Sequence, residues 1–458
     1  MQREGTSTPL EEAKIVRSRS SVEERRSRSS SASSNIVSSS CFDTQALKEI
    51  YQLEGYHGFL PRNEVNPLLK NYGDYLIRVT ETEEEANGTK TWEIIVSSRT
   101  EKIPEKSGPE EEPPFSNVVI ERKGGKYAFK KKQYTTIKEL LEHYKNKPCN
   151  TAYSRFILKN PVPLQSWEYT HKDVKLTGKE LGKGAFGVVQ LGELTTKKGK
   201  KRPVAIKSTK GVSDLPKEMI KKLMEEARIP RDLRSPYIVK SYGVAVDEQP
   251  LFILFEMVDG GALDKYLKSH KSLSGDDRLS IALGAARGLA YLHMNNKIHC
   301  DIASRNYLIT TTRIVKLTDF GLTIDLKPDE VRCREGESLK LPERQRQYIP
   351  FPVKWLAPET LDRVEYSHKT DVYSFGVFCS EVFSGSEPYE NRSKEDAKKM
   401  IINGQPPIVP KPCPQQLQDF LVQRIFSKDP KKRPRMEEVI VALTNAGAKD
   451  AELPKKKK

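Results

Sequence analysis

The chain has 458 residues, 36% hydrophobic and 31% charged, with 78 Lys and Arg against 62 Asp and Glu for a net charge of +16. That length holds about three domains' worth of chain and a core that needs no disulfides. No run of about 18 apolar residues occurs, which excludes a transmembrane helix, and the six cysteines are scattered without metal-ligand spacing, which fits a reducing compartment. The opening MQREGTSTPLEEAK lacks a signal peptide's apolar stretch, and Gln2 excludes N-myristoylation. The total charge invites a nucleic-acid or membrane-surface reading, but residues 1–53 carry only +1, residues 54–160 only +2, and residues 161–458 the remaining +13.

In chain order, residues 1–45 read as a disordered Ser/Arg-rich tail. Residues 17–40 hold twelve serines and five arginines and little that could form a core. The RSRS and RRSRSSS runs resemble the Arg-Ser segments of RNA-processing proteins. Glu23 and Glu24 interrupt the pattern and favour a phosphorylatable tail instead, so no nucleic-acid partner is expected.

The first globular signal begins near Leu53. YGDYLIRVTE (72–81) and TWEIIVSS (91–98) predict strands, and residues 116–129 a further pair. Residues 101–114 read as an acidic, Pro-containing exposed insertion. TTIKELLEHYK (135–145) predicts a helix with Thr136 as N-cap and Leu140, Leu141 and Tyr144 on one face. NPVPLQSWEY then leads into a linker over 161–174. From Val174 the strand-like segments VKLTGKEL, VVQLGEL, PVAIKST and LFILFEMV precede long helices at 278–294 and 371–384. Strands followed by helices indicate an α+β, two-lobed unit. AELPKKKK ends the chain as a basic tail over 447–458.

Gly182-x-Gly184-x-x-Gly187 is weak alone, because a plain glycine hairpin reads the same way. Its flanking strands argue against a dinucleotide fold, where a helix follows the glycines. Strand–loop–strand lets backbone N–H groups approach phosphates without Cβ obstruction. About twenty residues on, VAIK puts Lys207 on a strand as a fixed cation for phosphates, and PKEMIKKLMEEARI supplies Glu226 as its partner. HCDIASRN places Asp301 and Asn306 five apart, Asp319-Phe320-Gly321 offers a second metal carboxylate, and Ala357-Pro358-Glu359 follows.

Six such motifs in fixed order resemble the protein-kinase signature set over residues 175–446. The resemblance implies Asp301 as catalytic base, Lys207 on the α- and β-phosphates of ATP and paired with Glu226, and Asn306 and Asp319 as Mg²⁺ ligands. The nucleotide site it implies comprises Leu181, Gly182, Lys183, Gly184, Ala185, Phe186, Gly187, Val188, Val189, Lys207, Glu256 and Met257, with Phe255 as gatekeeper. Ala303 stands where serine/threonine kinases carry Lys, while Arg305, and Pro352-Val353-Lys354-Trp355, resemble tyrosine kinases. The implied partners are therefore protein tyrosine substrates. By the same resemblance Arg433 pairs with Glu359 in the interior.

Three departures bear on activity and control. Cys300 replaces the Arg that binds an activation-segment phosphate, and a neutral thiol cannot do so. The usual phosphorylated Tyr position is Pro342, and Tyr348 lies closer to Lys354, near Arg344 and Arg346. Together these imply control by something other than the standard phosphorylation switch. Pro230, one turn after Glu226, is expected to end or kink the helix and to loosen the Lys207–Glu226 pair. An active kinase and a catalytically weak pseudokinase scaffold are both consistent with these residues. The presence of every residue with a direct chemical role favours the first.

Upstream, Tyr56-His57-Gly58, Leu60-Pro61-Arg62 and Gly73-Asp74-Tyr75-Leu76-Ile77-Arg78 resemble an SH2 domain over residues 54–160. That family has a central antiparallel sheet flanked by two helices. The resemblance implies phosphotyrosine binding by Arg78, with Arg62 and Thr80 assisting, and phosphotyrosine-containing proteins as partners. Gly55 replaces the family's usual Trp, Asn117 its strand His, and the run Glu81-Thr82-Glu83-Glu84-Glu85 sets like charge beside the phosphate pocket. A purely structural SH2 is the rival reading.

The whole is similar to the Fes/Fer group of non-receptor tyrosine kinases: a two-lobed α+β kinase preceded by an SH2 domain. With no room for the long N-terminal membrane-bending module, a short form is expected. Its setting is expected to be cytoplasmic, with weak peripheral contact of Lys455–Lys458 with anionic membrane at the inner face of the plasma membrane.

Overall fold

Alternating apolar residues around Arg78 form the first sheet of the protein, seen here in a computed structural model. The structure describes residues 44–81, 92–102, 115–129, 132–150, 154–184, 187–209, 217–326, 339–340 and 352–453. The Ser/Arg tail, the acidic loop after Glu81, Tyr348 with Arg344 and Arg346, and the terminal lysines lie outside these residues. Strands β1 (Asp74–Glu81), β2 (Trp92–Arg99) and β3 (Phe115–Val119) are antiparallel. β4 (Asn160–Pro161) adds in parallel to β1. Helix α1 (Thr44–Ile50) begins before the first expected globular residue, and Lys138 N–H donates to Glu49 Oε1 at 2.9 Å. A single turn, α2 (Arg62–Val65), follows. Helix α3 (Ile137–Asn146) starts where Thr136 Oγ1 accepts the Glu139 N–H, and it buries Ile137, Leu140, Leu141 and Tyr144.

A six-stranded sheet follows. Its core is β6 (Val174–Gly184), β7 (Gly187–Thr195), β8 (Lys201–Thr209), β9 (Ser241–Ala245) and β10 (Phe252–Glu256). Its sixth strand comes from the segment read as a linker. β5 (Glu168–Tyr169) lies parallel to β9, with Glu168 opposite Val244 and Tyr169 opposite Ala245. Gly243 permits this approach: it sits at a register shift with φ +138°, and a Cβ there would meet Trp167 O at 1.8 Å. Helix α4 (Lys217–Arg228) crosses between β8 and β9.

The helical half is built on α5 (Leu263–Ser269), α6 (Gly275–Met294), α7 (Pro358–Arg363) and α8 (His368–Ser384). Its core joins Leu283, Leu289, Phe375, Phe378 and Val382 to Tyr307 and Leu317. The smaller helices α9 (Lys394–Ile402), α10 (Gln415–Phe420) and α11 (Met436–Asn445) close its base. Glu359 and Arg433 lie inside it, bidentate at 2.6 and 2.8 Å. Among the described residues no helix is long and apolar enough to cross a membrane.

Residues 41–458 form one compact unit, and the two halves meet through named contacts. His57 is buried with Nδ1 2.8 Å from Glu168 Oε1 and Nε2 3.0 Å from Val162 O. Phe59 N–H donates to Val246 O at 2.8 Å, and Tyr56 Oη donates to Asp247 O at 2.9 Å. Glu64, on α2, accepts from Arg231 at 3.1 Å and Arg228 at 3.4 Å.

Candidate active site

The glycine loop is a hairpin between β6 and β7, with Lys183 opposite Val188 and Gly184 opposite Gly187. Leu181, Gly182, Val188 and Val189 line its strands, and a Cβ at Gly182 would meet nothing within 4 Å. Ala185 and Phe186, at the tip, lie outside the described residues. β8 carries Lys207 beside Val189 on one side and Ile253 on the other. Strand β10 ends at Glu256, whose carboxylate accepts from Lys240 N–H at 2.7 Å and Lys316 Nζ at 2.9 Å. Met257 follows, and Phe255 is buried beside it.

Lys207 Nζ reaches both oxygens of Glu226, at 2.5 and 2.7 Å. Pro230 does end the α-helix: α4 stops at Arg228 and a 3₁₀ turn, Ile229–Arg231, takes over. The expected loosening does not occur. Proline removes only the N–H that would reach the Glu226 carbonyl, and Glu226 itself is still inside the helix, so its side chain keeps its direction. Burial works against the Lys207 ammonium, but Glu226 and Asp319 outweigh it and hold its pKa raised, so Lys207 is a fixed cation.

The loop carrying Asp301 hangs from Asp371 in α8. Asp371 accepts the His299 N–H at 2.7 Å, the Cys300 N–H at 2.9 Å and the His293 ring at 2.9 Å. Asn306 Nδ2 donates to Asp301 O at 2.8 Å and Oδ2 at 2.6 Å, and Arg305 pairs with Oδ1. Each carboxylate oxygen keeps a second lone pair for an incoming hydroxyl. Asp319 is exposed with φ +61°, and Phe320 is buried edge-on to His299 at 5.6 Å between ring centres.

Asn306 and Asp319 fit Mg²⁺ by chemistry: both offer hard oxygen donors, and Asn306 has committed its NH₂ to Asp301. Among the described residues no cluster of three His, Cys, Asp or Glu could hold a metal by itself. Two protein oxygens suit a metal whose remaining ligands come from phosphates and water.

Sequence reasoning missed Glu381. Its carboxylate accepts from Ser304 N–H at 2.9 Å, Ser304 Oγ at 2.6 Å and Trp355 Nε1 at 2.9 Å, joining the catalytic loop to the PVKW segment. Arg305 lies over the Trp355 ring at 4.5 Å. A lone acid in the apolar run VFCSEVF was the available signal.

At the first sheet, Arg78 is 5% exposed, with Nε donating to Ser97 Oγ at 3.1 Å and Nη2 to Asn117 Oδ1 at 3.2 Å. Asn117 thus orients the arginine from β3. Burial, with Arg62 nearby, lowers the Arg78 pKa to about 10, which leaves it charged at neutral pH. Thr80 shares its face of β1, and Arg62 is exposed at the start of α2.

Residues 176–443 match the family model "Protein tyrosine and serine/threonine kinase". Tyrosine-protein kinase Fer of Homo sapiens is 32% identical over 401 residues, covering 87% of this chain and 44% of that protein. Tyrosine-protein kinase transforming protein Fps of avian sarcoma virus (strain PRCII) is 32% identical, covering 85% and 67%. Fer-related kinase 1 of Caenorhabditis elegans is 31% identical over 408 residues, covering 88% and 96%. The chain thus spans under half the length of its mammalian relative and nearly all of the nematode one. With that model matching more than half of the chain and these relatives covering most of it, the chain belongs to the protein tyrosine and serine/threonine kinase family, on its Fer-type tyrosine kinase branch.

Proposed function

We propose that the chain is a protein tyrosine kinase that transfers the γ-phosphate of ATP to tyrosine hydroxyls of proteins, using Mg²⁺. The observations that carry this reading are the closed Lys207–Glu226 pair and an Asp301 whose carboxylate oxygens are both positioned, by Arg305 and Asn306. Lys207 binds phosphate oxygens, and the backbone of Gly182–Gly184 and Gly187–Val189 covers them, so catalysis is positioning plus charge stabilisation. Glu256 and Met257 supply main-chain groups to the adenine. Asn306 and Asp319 would hold Mg²⁺, which would supply positive charge against the transferring phosphoryl group. Asp301 accepts the hydrogen bond of the attacking phenol and its proton as the new P–O bond forms. Arg305 stacked on Trp355 supports a platform for that ring.

The SH2 part of the reading rests on the charged, buried Arg78, oriented by Ser97 and Asn117. It binds phosphotyrosine of partner proteins, aided by Arg62 and Thr80. The setting proposed is cytoplasmic, with weak contact of the terminal lysines with anionic membrane.

The test is purified chain with ATP, Mg²⁺ and a Glu/Tyr copolymer. Phosphotyrosine should appear and Asp301→Asn should reduce its rate by about 10²–10⁴. Equal signal from both proteins would sink the enzyme reading and leave a scaffold. Phosphotyrosine-peptide binding that survives Arg78→Ala would refute the SH2 reading.

A further inference from the structure

Away from the cleft, a cavity of about 550 Å³ opens where α2, the segment around β5, the end of α4 and the start of β9 meet. Four cations line it, Arg228, Arg231, Arg234 and Lys240, against two carboxylates, Glu64 and Asp232. Glu64 is spent on Arg228 and Arg231. Asp232 is exposed, so Arg234 and Lys240 leave a surplus of positive charge. Burial, Arg202 and Arg234 together push the Lys240 pKa down, and Glu256 only partly opposes them. An ammonium so placed gains from a nearby anion.

Two further features sit in the same wall. The Arg231 guanidinium is fixed 3.6 Å above the Trp167 ring, with Nη1 on Glu64, yet its buried Nη2 has no hydrogen-bond partner among the described residues. Ser241 is 6% exposed, and its Oγ likewise has no partner among them. Buried donors are nearly always paired, so two unpaired ones in one basic wall point to a missing acceptor.

We propose that this cavity binds a phosphomonoester dianion through Arg231, Arg234 and Lys240, with the Ser241 hydroxyl as a neutral donor. Arginine forks match the oxygens of phosphate, and a dianion balances the surplus charge. The volume exceeds that of phosphate alone, so the dianion arrives on a carrier, either a phosphorylated side chain of a protein segment or a small phosphorylated metabolite. The site shares no residue with the catalytic cleft or the Arg78 pocket, so it stands or falls independently of the kinase reading.

Calorimetric titration of the full chain, with Arg78→Ala to silence that pocket, tests it. The probes are glycerol phosphate and a phosphoserine peptide. Arg234→Ala with Lys240→Ala, both at exposed positions, should weaken binding about tenfold or more while an unchanged urea midpoint shows that the double variant is folded. Ser241→Ala should weaken it less. Tighter binding of the peptide than of glycerol phosphate, lost in the double variant, upholds the proposal with a protein source. Glycerol phosphate binding as tightly as the peptide, with the same loss, upholds it with a metabolite source. Isotherms for both probes that do not change in the double variant overturn it.

Discussion

Cys300 stands where a guanidinium would receive an activation-segment phosphate, and its surroundings are apolar instead. It packs with Ile298, Ile324, Leu326 and Leu339. Its φ of +67° costs a non-glycine residue about 1–2 kcal/mol, which Asp371 offsets by accepting its N–H and that of His299. Burial, reinforced by Asp371 and Asp301, pushes its thiol pKa well up, so at neutral pH it is neither thiolate nor nucleophile. Iodoacetamide at pH ~7.5 should therefore leave Cys300 unmodified in folded protein and modify it in urea, as read by mass spectrometry. Rapid native labelling would contradict this environment. The Glu359–Arg433 pair makes the opposite point about buried charge. Glu359→Ala leaves a guanidinium in the interior without its carboxylate and should cost about 3–5 kcal/mol, visible as a lower urea midpoint. The Arg433 partnership was implied by the resemblance to protein kinases. Glu381 was not, because its role comes from three donors on distant segments, and no local pattern encodes such a convergence.

At the scale of elements, the β9–β10 hairpin receives the Tyr56-His57-Gly58 turn almost without clearance. Gly58 has φ +60°, and a Cβ there would lie 1.9 Å from Val246 O. Gly58→Ala should thus cost at least about 1–2 kcal/mol and separate the two halves. Limited proteolysis would detect this as faster cleavage within residues 161–174, and an unchanged cleavage rate would refute tight docking. The same hairpin holds His171, whose Nδ1 is 2.6 Å from Asp247 Oδ1 and Nε2 2.9 Å from Pro250 O. Burial works against the His171 cation, but Asp247 outweighs it, so the folded pKa is raised. The folded state then binds this proton more tightly than the unfolded chain does. The resulting stabilisation is complete below the unfolded value of about 6.5 and is lost as pH rises through the folded value. His171→Gln should flatten that part of the pH dependence of the urea midpoint. The main strands and the long helices were legible because they carry period-2 and period-3.6 patterns. Helix α6 begins three residues before its apolar pattern because Ser274 and Asp277 form a capping box outside the buried face. β5 has only two residues and so no period, which hid its membership of the sheet.

For the whole molecule, the +13 carried by residues 161–458 should act on encounter with acidic substrates rather than on folding. Raising salt from roughly 0.1 to roughly 1 M shortens the Debye length from about 10 to about 3 Å. The KM for a Glu/Tyr copolymer should rise several-fold over that range, while kcat changes less. An equal loss for a neutral tyrosine peptide would remove electrostatic steering as the cause. The α+β class was legible from strands followed by long helices, and the order of the catalytic parts from six motifs whose resemblance to the kinase set rests on fixed residue types. How the N-terminal half seats on the kinase was not legible, because it depends on two glycines meeting backbone carbonyls far away in sequence. The seating has a further consequence, carried by the pairing of β5 with β9. A chain cut to begin at Val174 would lose Glu168 and Tyr169 and leave Ser241–Ala245 as a bare sheet edge. Bare edges recruit strands from other molecules. Such a truncated catalytic half should self-associate, and a fragment that keeps residues from Gln165 onward should stay dispersed.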